Sequence, residues 1–354
     1  IAVTGQIAIG HQALTAMNGG NGGNIAIGYQ SSQGITTGAR NTAIGYQSLD
    51  SVDDGVDNTV IGFLAFASAA GNETANTAIG SYAMTSINHD DSDANTAIGY
   101  EALKGSSISI NSNVAVGYQA MSGSSNSDGS IAIGREAMKG SLTSATHGTV
   151  GIGRDALSAL TSGGQNIAVG YQALKDTTTG IDNVSLGYKA NIYNVTGQKN
   201  IAIGAYAMSD TDAGTNSEDS DRNVFIGYLS GGGTWANTKS ENNVALGAYT
   251  MDSALDGATH NTAVGDNALS SITTGDNNVM LGSGTGDGIT TGSDNVFLGM
   301  DAGNATTDVD KVVIIGSGAA SADMTNGADA TVAIGRDALK SLTSGAGNIA
   351  IGKQ

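Results

Sequence analysis

The 354-residue sequence contains no cysteine and no proline. The first absence excludes disulfide staples and thiolate metal sites. The second means that no position forfeits its backbone N–H, which suits a fold built almost wholly from hydrogen-bonded strands and corners. Aromatic residues make up only 5% of the chain, and 14 basic residues stand against 32 acidic ones, for a formal charge of −18. Nucleic-acid binding by counterion release needs the opposite sign, so no nucleic-acid partner is expected; the acidity keeps a large exposed surface soluble. No apolar run reaches the roughly eighteen residues of a membrane helix, and no membrane insertion is expected in this segment. The chain opens on Ile1 with neither an initiator Met nor a leader, so it is taken as a processed or excised piece of something longer.

Glycine is abundant instead, at 54 residues, about twice its share in ordinary domains, and it falls at regular intervals. Aligned on the glycine of Asn-Thr-Ala-Ile-Gly, the chain shows twenty anchors, from Gly10 and Gly28 through Gly45, Gly99 and Gly170 to Gly335 and Gly352. The mean interval is 18 residues; ten intervals are 17, none is shorter, and the longest is 23. A fixed lower limit with occasional excess marks a coil that tolerates insertions at one corner. We therefore expect an all-β fold, a parallel β-solenoid of about 20 coils with 17–23 residues each. Stacked about 4.8 Å apart, these coils predict a rod of roughly 95 Å. The whole of 1–354 reads as a single repeat array, with its longest insertions at 209–222 and 230–242.

Each repeat position has a constant character. The residue before the anchor is Ile, Val or Leu, and the one three before it is β-branched, as at Thr42, Ile167 and Val296. This spacing predicts a three-residue strand with those two side chains inward and the middle residue, usually Ala, outward. The middle residue enlarges to Val60, Phe225, Met280, Phe297 and Ile314; placed outward, such residues suggest an apolar seam between subunits. Ala, Ser or Thr follows three residues after the anchor, and often Leu or Met next, as at Leu103, Met121 and Leu174. That second apolar point predicts a second short strand or corner, hence about two strands per coil. Asn stands four residues before the anchor in fifteen repeats, among them Asn41, Asn95 and Asn166. Such an Asn is suited to a left-handed corner bonding its own backbone, or to an amide ladder from coil to coil. A second glycine seven residues before the anchor, as at Gly38, Gly180 and Gly292, marks the opposite corner.

The run Asn95-Thr96-Ala97-Ile98-Gly99-Tyr100-Glu101-Ala102-Leu103 resembles the head repeats of YadA-type trimeric autotransporter adhesins, a repeat type also found in phage tail fibres and virion fibre proteins. The resemblance covers essentially the whole chain, and the family's Ala-Ile-Gly strand corresponds to Ala8-Ile9-Gly10 and its later equivalents. It implies a left-handed β-roll and an intertwined or side-by-side homotrimer forming a stiff adhesive rod. The family's own repeat is shorter than the coil here. By this likeness the chain is a tail or virion fibre shaft that contacts a host cell-surface glycan or protein, or alternatively a bacterial surface adhesin; its location is the virion or the cell exterior.

Catalytic patterns are weak. The four histidines (His11, His89, His147, His260) lie in unrelated coils, and no nucleophile elbow, zinc spacing or phosphate loop is present. No enzyme activity and no cofactor are expected; a polysaccharide-cleaving fibre is a lesser alternative. So is an ice-binding solenoid, which needs an outward array of Thr, whereas Thr42, Thr59, Thr77, Thr96 and Thr262 fall at the position read as inward. Asp90, Asp91 and Asp93 are weak Ca²⁺ candidates, although a hard cation wants six to eight oxygens. Tyrosine follows the anchor in seven coils, Tyr29 and Tyr46 among them; such a column either stacks on sugar rings or covers a corner with its hydroxyls in water. Because recognition favours long loops on rigid scaffolds, the candidate receptor contacts are Trp235, Asp210, Asp212, Glu218, Asp219 and Asp221.

Overall fold

A computed structural model describes residues 5–353 except 20, 69–70, 88–91, 106–109, 124–126, 144–145, 212–218 and 237. The chain divides into two compact units, Ile1–Gln172 and Ala173–Gln354. The first holds ten three-residue strands: β1 Ile7–Ile9, β2 Ile25–Ile27, β3 Thr42–Ile44, β4 Thr59–Ile61, β5 Thr77–Ile79, β6 Thr96–Ile98, β7 Val114–Val116, β8 Ile131–Ile133, β9 Val150–Ile152 and β10 Ile167–Val169. The second holds another ten: β11 Val184–Leu186, β12 Ile201–Ile203, β13 Val224–Ile226, β14 Val244–Leu246, β15 Thr262–Val264, β16 Val279–Leu281, β17 Val296–Leu298, β18 Val313–Ile315, β19 Val332–Ile334 and β20 Ile349–Ile351. Within each unit every strand pairs in parallel with the next in sequence, position for position, as in Thr42↔Thr59, Ala43↔Val60 and Ile44↔Ile61 or Val296↔Val313, Phe297↔Ile314 and Leu298↔Ile315. Both units are thus parallel β-solenoids, with one labelled strand per coil. A 3₁₀ turn spans Asn326–Ala328.

The expected second strand is instead a left-handed corner. Two and four residues after the anchor the backbone takes positive φ without glycine, as at Gln47 (49°) and Leu49 (51°), or Glu101 (51°) and Leu103 (52°). Each such residue costs about 1–2 kcal/mol in isolation. Coil-to-coil hydrogen bonds offset that cost in both directions: Gln47 N donates to Tyr29 O of the coil before (2.9 Å), and Leu49 N to Ala65 O of the coil after (3.0 Å).

The strand faces are the reverse of the sequence expectation. In β2–β19 the middle residue is buried and its two neighbours are half-buried or exposed. Val60, Phe225, Met280, Phe297 and Ile314 are all core residues at 0% exposure and form no outer seam. The core has room for them because the facing side chain shrinks. A Cβ on Gly231 would lie 2.5 Å from Phe225, and one on Gly303 2.4 Å from Phe297. The reciprocal case is Gly151, a strand-middle glycine whose Cβ would meet Met138 at 2.8 Å. The outer face therefore carries the Ile, Val, Leu and Thr pairs, including Thr42, Thr59, Thr77, Thr96 and Thr262.

The asparagines form the amide ladder, though not the left-handed corner. The residue before each takes positive φ, as at Arg40 (58°) and Ala94 (57°), while Asn41 and Asn95 are fully buried. Asn95 Nδ2 donates to Asn76 Oδ1 (3.2 Å) and to Ile110 O (2.8 Å). Asn95 Oδ1 in turn accepts from Asn113 N (3.0 Å) and Asn113 Nδ2 (3.2 Å). Every polar atom of the side chain thus links one coil to another rather than to its own backbone. Elsewhere the interior polar groups are less well served. Asn191 occupies the interior position where other coils place Leu or Met, is fully buried, and has no partner for Oδ1 or Nδ2; Ser185, in the middle of β11, leaves its hydroxyl unpartnered too.

These two kinds of buried amide predict opposite outcomes. Asn95→Ala leaves buried N–H and C=O groups without partners and is expected to destabilise the first unit by about 2–4 kcal/mol. Asn191→Leu removes an unpaired buried amide and is expected to stabilise the second unit by about 1–3 kcal/mol. Denaturant unfolding of the two variants checks both signs.

Candidate functional site

Two surface features of the solenoid are suited to contact with other molecules: the strand face and the corner column beside it. On the strand face, Ile61, Ile98, Val169, Leu246 and Leu281 are 36–47% exposed, and Ile167, Val244 and Val279 stand beside them at 37–40%. A solvated sheet face normally alternates to polar residues; this one carries at least one aliphatic side chain in every coil, with Thr beside it in five.

The corner column is aromatic. In the first unit His11, Tyr29, Tyr46 and Phe63 stack face to face, with centroids 5.2–5.3 Å apart and interplanar angles of 9–19°. Tyr82 joins from the adjacent corner position edge-on, and Tyr100 and Tyr118 stack again at 5.4 Å. Arg135 lies over Tyr118 and Arg154 over Tyr171, at 5.8 and 5.6 Å. The spacing is close to the coil rise, so the column follows directly from placing aromatics after successive anchors. Ring faces that stack on each other are closed to a sugar, and only edges and hydroxyls reach solvent. In the second unit Tyr188, Tyr206, Tyr228 and Tyr249 meet edge-on, as Tyr82 does in the first, at interplanar angles of 67–86°. Tyr206 has its phenol pKa raised, first by its hydrogen bond to Tyr188 and then by desolvation.

Beside Tyr206 lies a recess of about 150 Å³, walled by Lys189, Ile192, Tyr193, Ser209 and Asp210, with Gly232 completing it. Ser209 and Asp210 open the first long insertion and Gly232 belongs to the second, so the two stretches singled out in the sequence do meet at one hollow. A larger hollow of about 500 Å³ on the last coils is lined by Leu339, Leu342, Ala350 and Ile351, with Ser341 and Lys353 also bordering it.

The individual candidates fall differently. Trp235 is a core residue: it is fully buried, packs 5.6 Å from Phe225 and donates Nε1–H to Gly231 O at 3.0 Å. It presents no surface to a receptor, and its conspicuous isolation in the sequence reflects the space beside Gly231. Asp210 Oδ2 accepts from Thr234 Oγ1 (2.7 Å), tying one insertion to the other. Asp219 accepts from Thr196 Oγ1 and lies 3.6 Å from Lys239 Nζ. Asp221 Oδ1 accepts from Gln198 N at 2.6 Å. Asp212, Glu218, Asp90 and Asp91 lie outside the described residues.

Asp93 is a rung in a second ladder that the sequence reading missed. Its Oδ1 accepts from Thr74 N (2.6 Å), and its own N donates to Asn111 Oδ1 (2.8 Å). Asn111 N donates to Asp128 Oδ1, and Asp128 N to His147 Nδ1. In the second unit Asp276, Asp310 and Asp329 do the same for Thr259, Ser293 and Asp310. All these acceptors stand six residues before an anchor, and that constant offset was the signal available. Among the described residues no three His, Cys, Asp or Glu side chains gather to hold a metal ion. Nor is any helix long and apolar enough to cross a membrane among them. No known family model matches the chain, and no curated protein matches it.

Placing Trp235 in the core predicts the outcome of removing it. Trp235→Ala is expected to cost about 3–5 kcal/mol of stability by opening a cavity beside Phe225, a loss readable in denaturant unfolding of the second unit.

Proposed function

We propose that this chain is a non-enzymatic structural and adhesive fibre segment that associates through its strand face with two further copies of itself. The observation carrying this reading is the outward, mainly aliphatic pair of each coil. Each unit carries ten outward pairs, all aliphatic except where Thr42, Thr59, Thr77, Thr96 or Thr262 replaces one member; at about 50 Å² left open per aliphatic side chain they amount to on the order of 1,000 Å². Monomeric proteins rarely leave more than a few hundred Å² of contiguous apolar surface open, and a stable interface takes about 800 Å² from each partner. A side-by-side trimer of left-handed β-rolls, as the likeness to YadA-type heads implies, closes such a face on itself. The association that the sequence suggested from Phe225 and Met280 thus rests on different residues, Ile98 and Leu281 among them.

A shaft of a virion or tail fibre, displayed outside the cell and reaching a host-surface glycan or protein, is the setting that suits this chemistry. A bacterial surface adhesin uses the same face in the same way. The acidic corners favour solubility and leave nucleic acid an unsuitable partner. A second reading has one observation in its favour: Thr42, Thr59, Thr77 and Thr96 stand in register on the outer face of β3–β6, the disposition an ice-binding array needs. Ile44, Ile61, Ile79 and Ile98 beside them suit burial in an interface, and a thermal-hysteresis measurement separates the two.

Light scattering of the purified chain at micromolar concentration is expected to give three times the single-chain mass. Ile79→Lys with Ile98→Lys, which places charge on the face of β5 and β6, is expected to lower it toward one chain without changing the circular dichroism. A single-chain mass for the parent protein would sink the reading.

A further inference from the structure

We propose that the recess between the two long insertions of the second unit is a subsite for one carboxylate-bearing sugar unit, of the uronic-acid type, within a surface polysaccharide. The proposal rests on the attachment half of the function given above and names what is attached to.

The starting point is Lys189. Among the described residues, ten of the fourteen Lys and Arg side chains are ion-paired with a carboxylate. Lys189 is not: among the described residues no carboxylate lies within ion-pair reach of its ammonium. It is held instead against aromatic rings, 5.6 Å from the centroid of Tyr188 and 6.0 Å from that of Tyr206. An ammonium fixed by cation–π contacts in the wall of a hollow is preorganised for an anion, because its rotamer entropy is already lost. In a chain of charge −18, such a cation is also the local exception that makes an anionic ligand acceptable.

The rest of the lining narrows the ligand. About 150 Å³ is well below the roughly 300 Å³ at which drug-sized sites begin. At about 30 Å³ per water it equals some five waters, which is the room of a single sugar ring. Tyr206 meets Tyr188 and Tyr228 edge-on at 67° and 86°, as Tyr82 meets its neighbours in the first unit, and Tyr193 is 36% exposed. The exposed Tyr193 ring in the wall of the recess offers an apolar surface to the C–H face of a pyranose. Asp210 and Ser209 border the same space. The Asp210 carboxylate accepts hydroxyl protons and repels an anion, so the ligand's carboxylate belongs at the Lys189 side and its hydroxyls at the Asp210 side. A simple inorganic anion uses only the first of these features, and a neutral hexose lacks a partner for the ammonium.

Titration of the intact protein with methyl glucuronide and methyl glucoside, followed by chemical-shift or saturation-transfer NMR, tests the assignment. Methyl glucuronide is expected to saturate with a dissociation constant on the order of 1 mM, and methyl glucoside to bind about tenfold more weakly. Lys189→Gln is expected to abolish that preference and Tyr206→Ala to weaken both sugars, while Lys311→Gln, a cation remote in sequence from the recess, leaves both unchanged. Equal affinity for the two sugars, an unaltered preference in Lys189→Gln, or no saturable binding of the glucuronide at about 50 mM would each overturn the proposal. The mass measurement reports separately on self-association, so a single-chain mass with glucuronide binding intact removes the shaft and keeps the subsite. A trimer without binding does the reverse.

Discussion

Each anchor glycine sits against the next with so little room that a Cβ added to Gly45 would lie 2.2 Å from Gly62 O, and one on Gly99 2.4 Å from Gly117 O. Their φ values, 144° and 137°, lie where side chains are strained in any case. This close approach of one backbone to the identical backbone of the next coil is the constraint from which the rest follows. It holds the coils in register, so that Gly45 N reaches Ile27 O and Thr42 N reaches Asn58 O, both at 2.8 Å. Register in turn stacks like on like: asparagine on asparagine, carboxylate over backbone amide, tyrosine over tyrosine. Those columns are consequences of a fixed repeat, each adding a modest contribution per coil.

The period, the strand and the Asn ladder were legible in the sequence because each is a matter of spacing along the chain. Which side of a three-residue strand faces inward was not, since alternation separates two faces without saying which is covered. Ile and Val flanking Ala look like a core face when the alternative is water; they stand outside because an interior only one coil thick admits a small middle residue opposite Leu103 or Met121. A signal for this did exist. Phe225, Met280 and Phe297 each coincide with glycine four residues after the anchor (Gly231, Gly286, Gly303), and a Cβ on any of these would come within 2.4–2.8 Å of the large side chain. Such size exchange between two positions of one coil is the mark of facing core residues, and it identifies the middle residue as interior without coordinates.

The acidic residues illustrate a similar substitution of roles. Asp54, in the adjacent acidic pair Asp53-Asp54, accepts from Thr36 and Thr37 of the preceding coil. Those two hydroxyls hold its carboxyl below the usual carboxylate range, that of Thr37 more strongly. Asp308 treats Thr290 and Thr291 the same way at 2.8 Å. A carboxylate bonded to the coil beneath needs no metal, and a negative charge at an exposed corner is solvated. The excess of acid over base is thus used structurally at the very corner where insertions occur.

Insertions are tolerated there for a related reason. After the longest one, the ladder resumes at Asp221, whose Oδ1 meets Gln198 N, and again at Asn223, whose N meets Asn200 Oδ1 at 3.0 Å, across 23 residues in both cases. The six residues before the anchor restore register whatever length precedes them, so added chain leaves the register of the next coil unchanged. Two consecutive insertions, however, must pack against each other as well as against the coil. Thr234 bonded to Asp210 and Trp235 N donating to Asp210 O at 2.9 Å show that contact. Trp235 is drawn into the core by it, and the recess holding Lys189 and Tyr206 is the space remaining outside. A regular stack supplies columns of equivalent groups; where two irregular corners adjoin, unlike groups, the Lys189 ammonium, the Asp210 carboxylate and the Tyr193 ring, border one small volume.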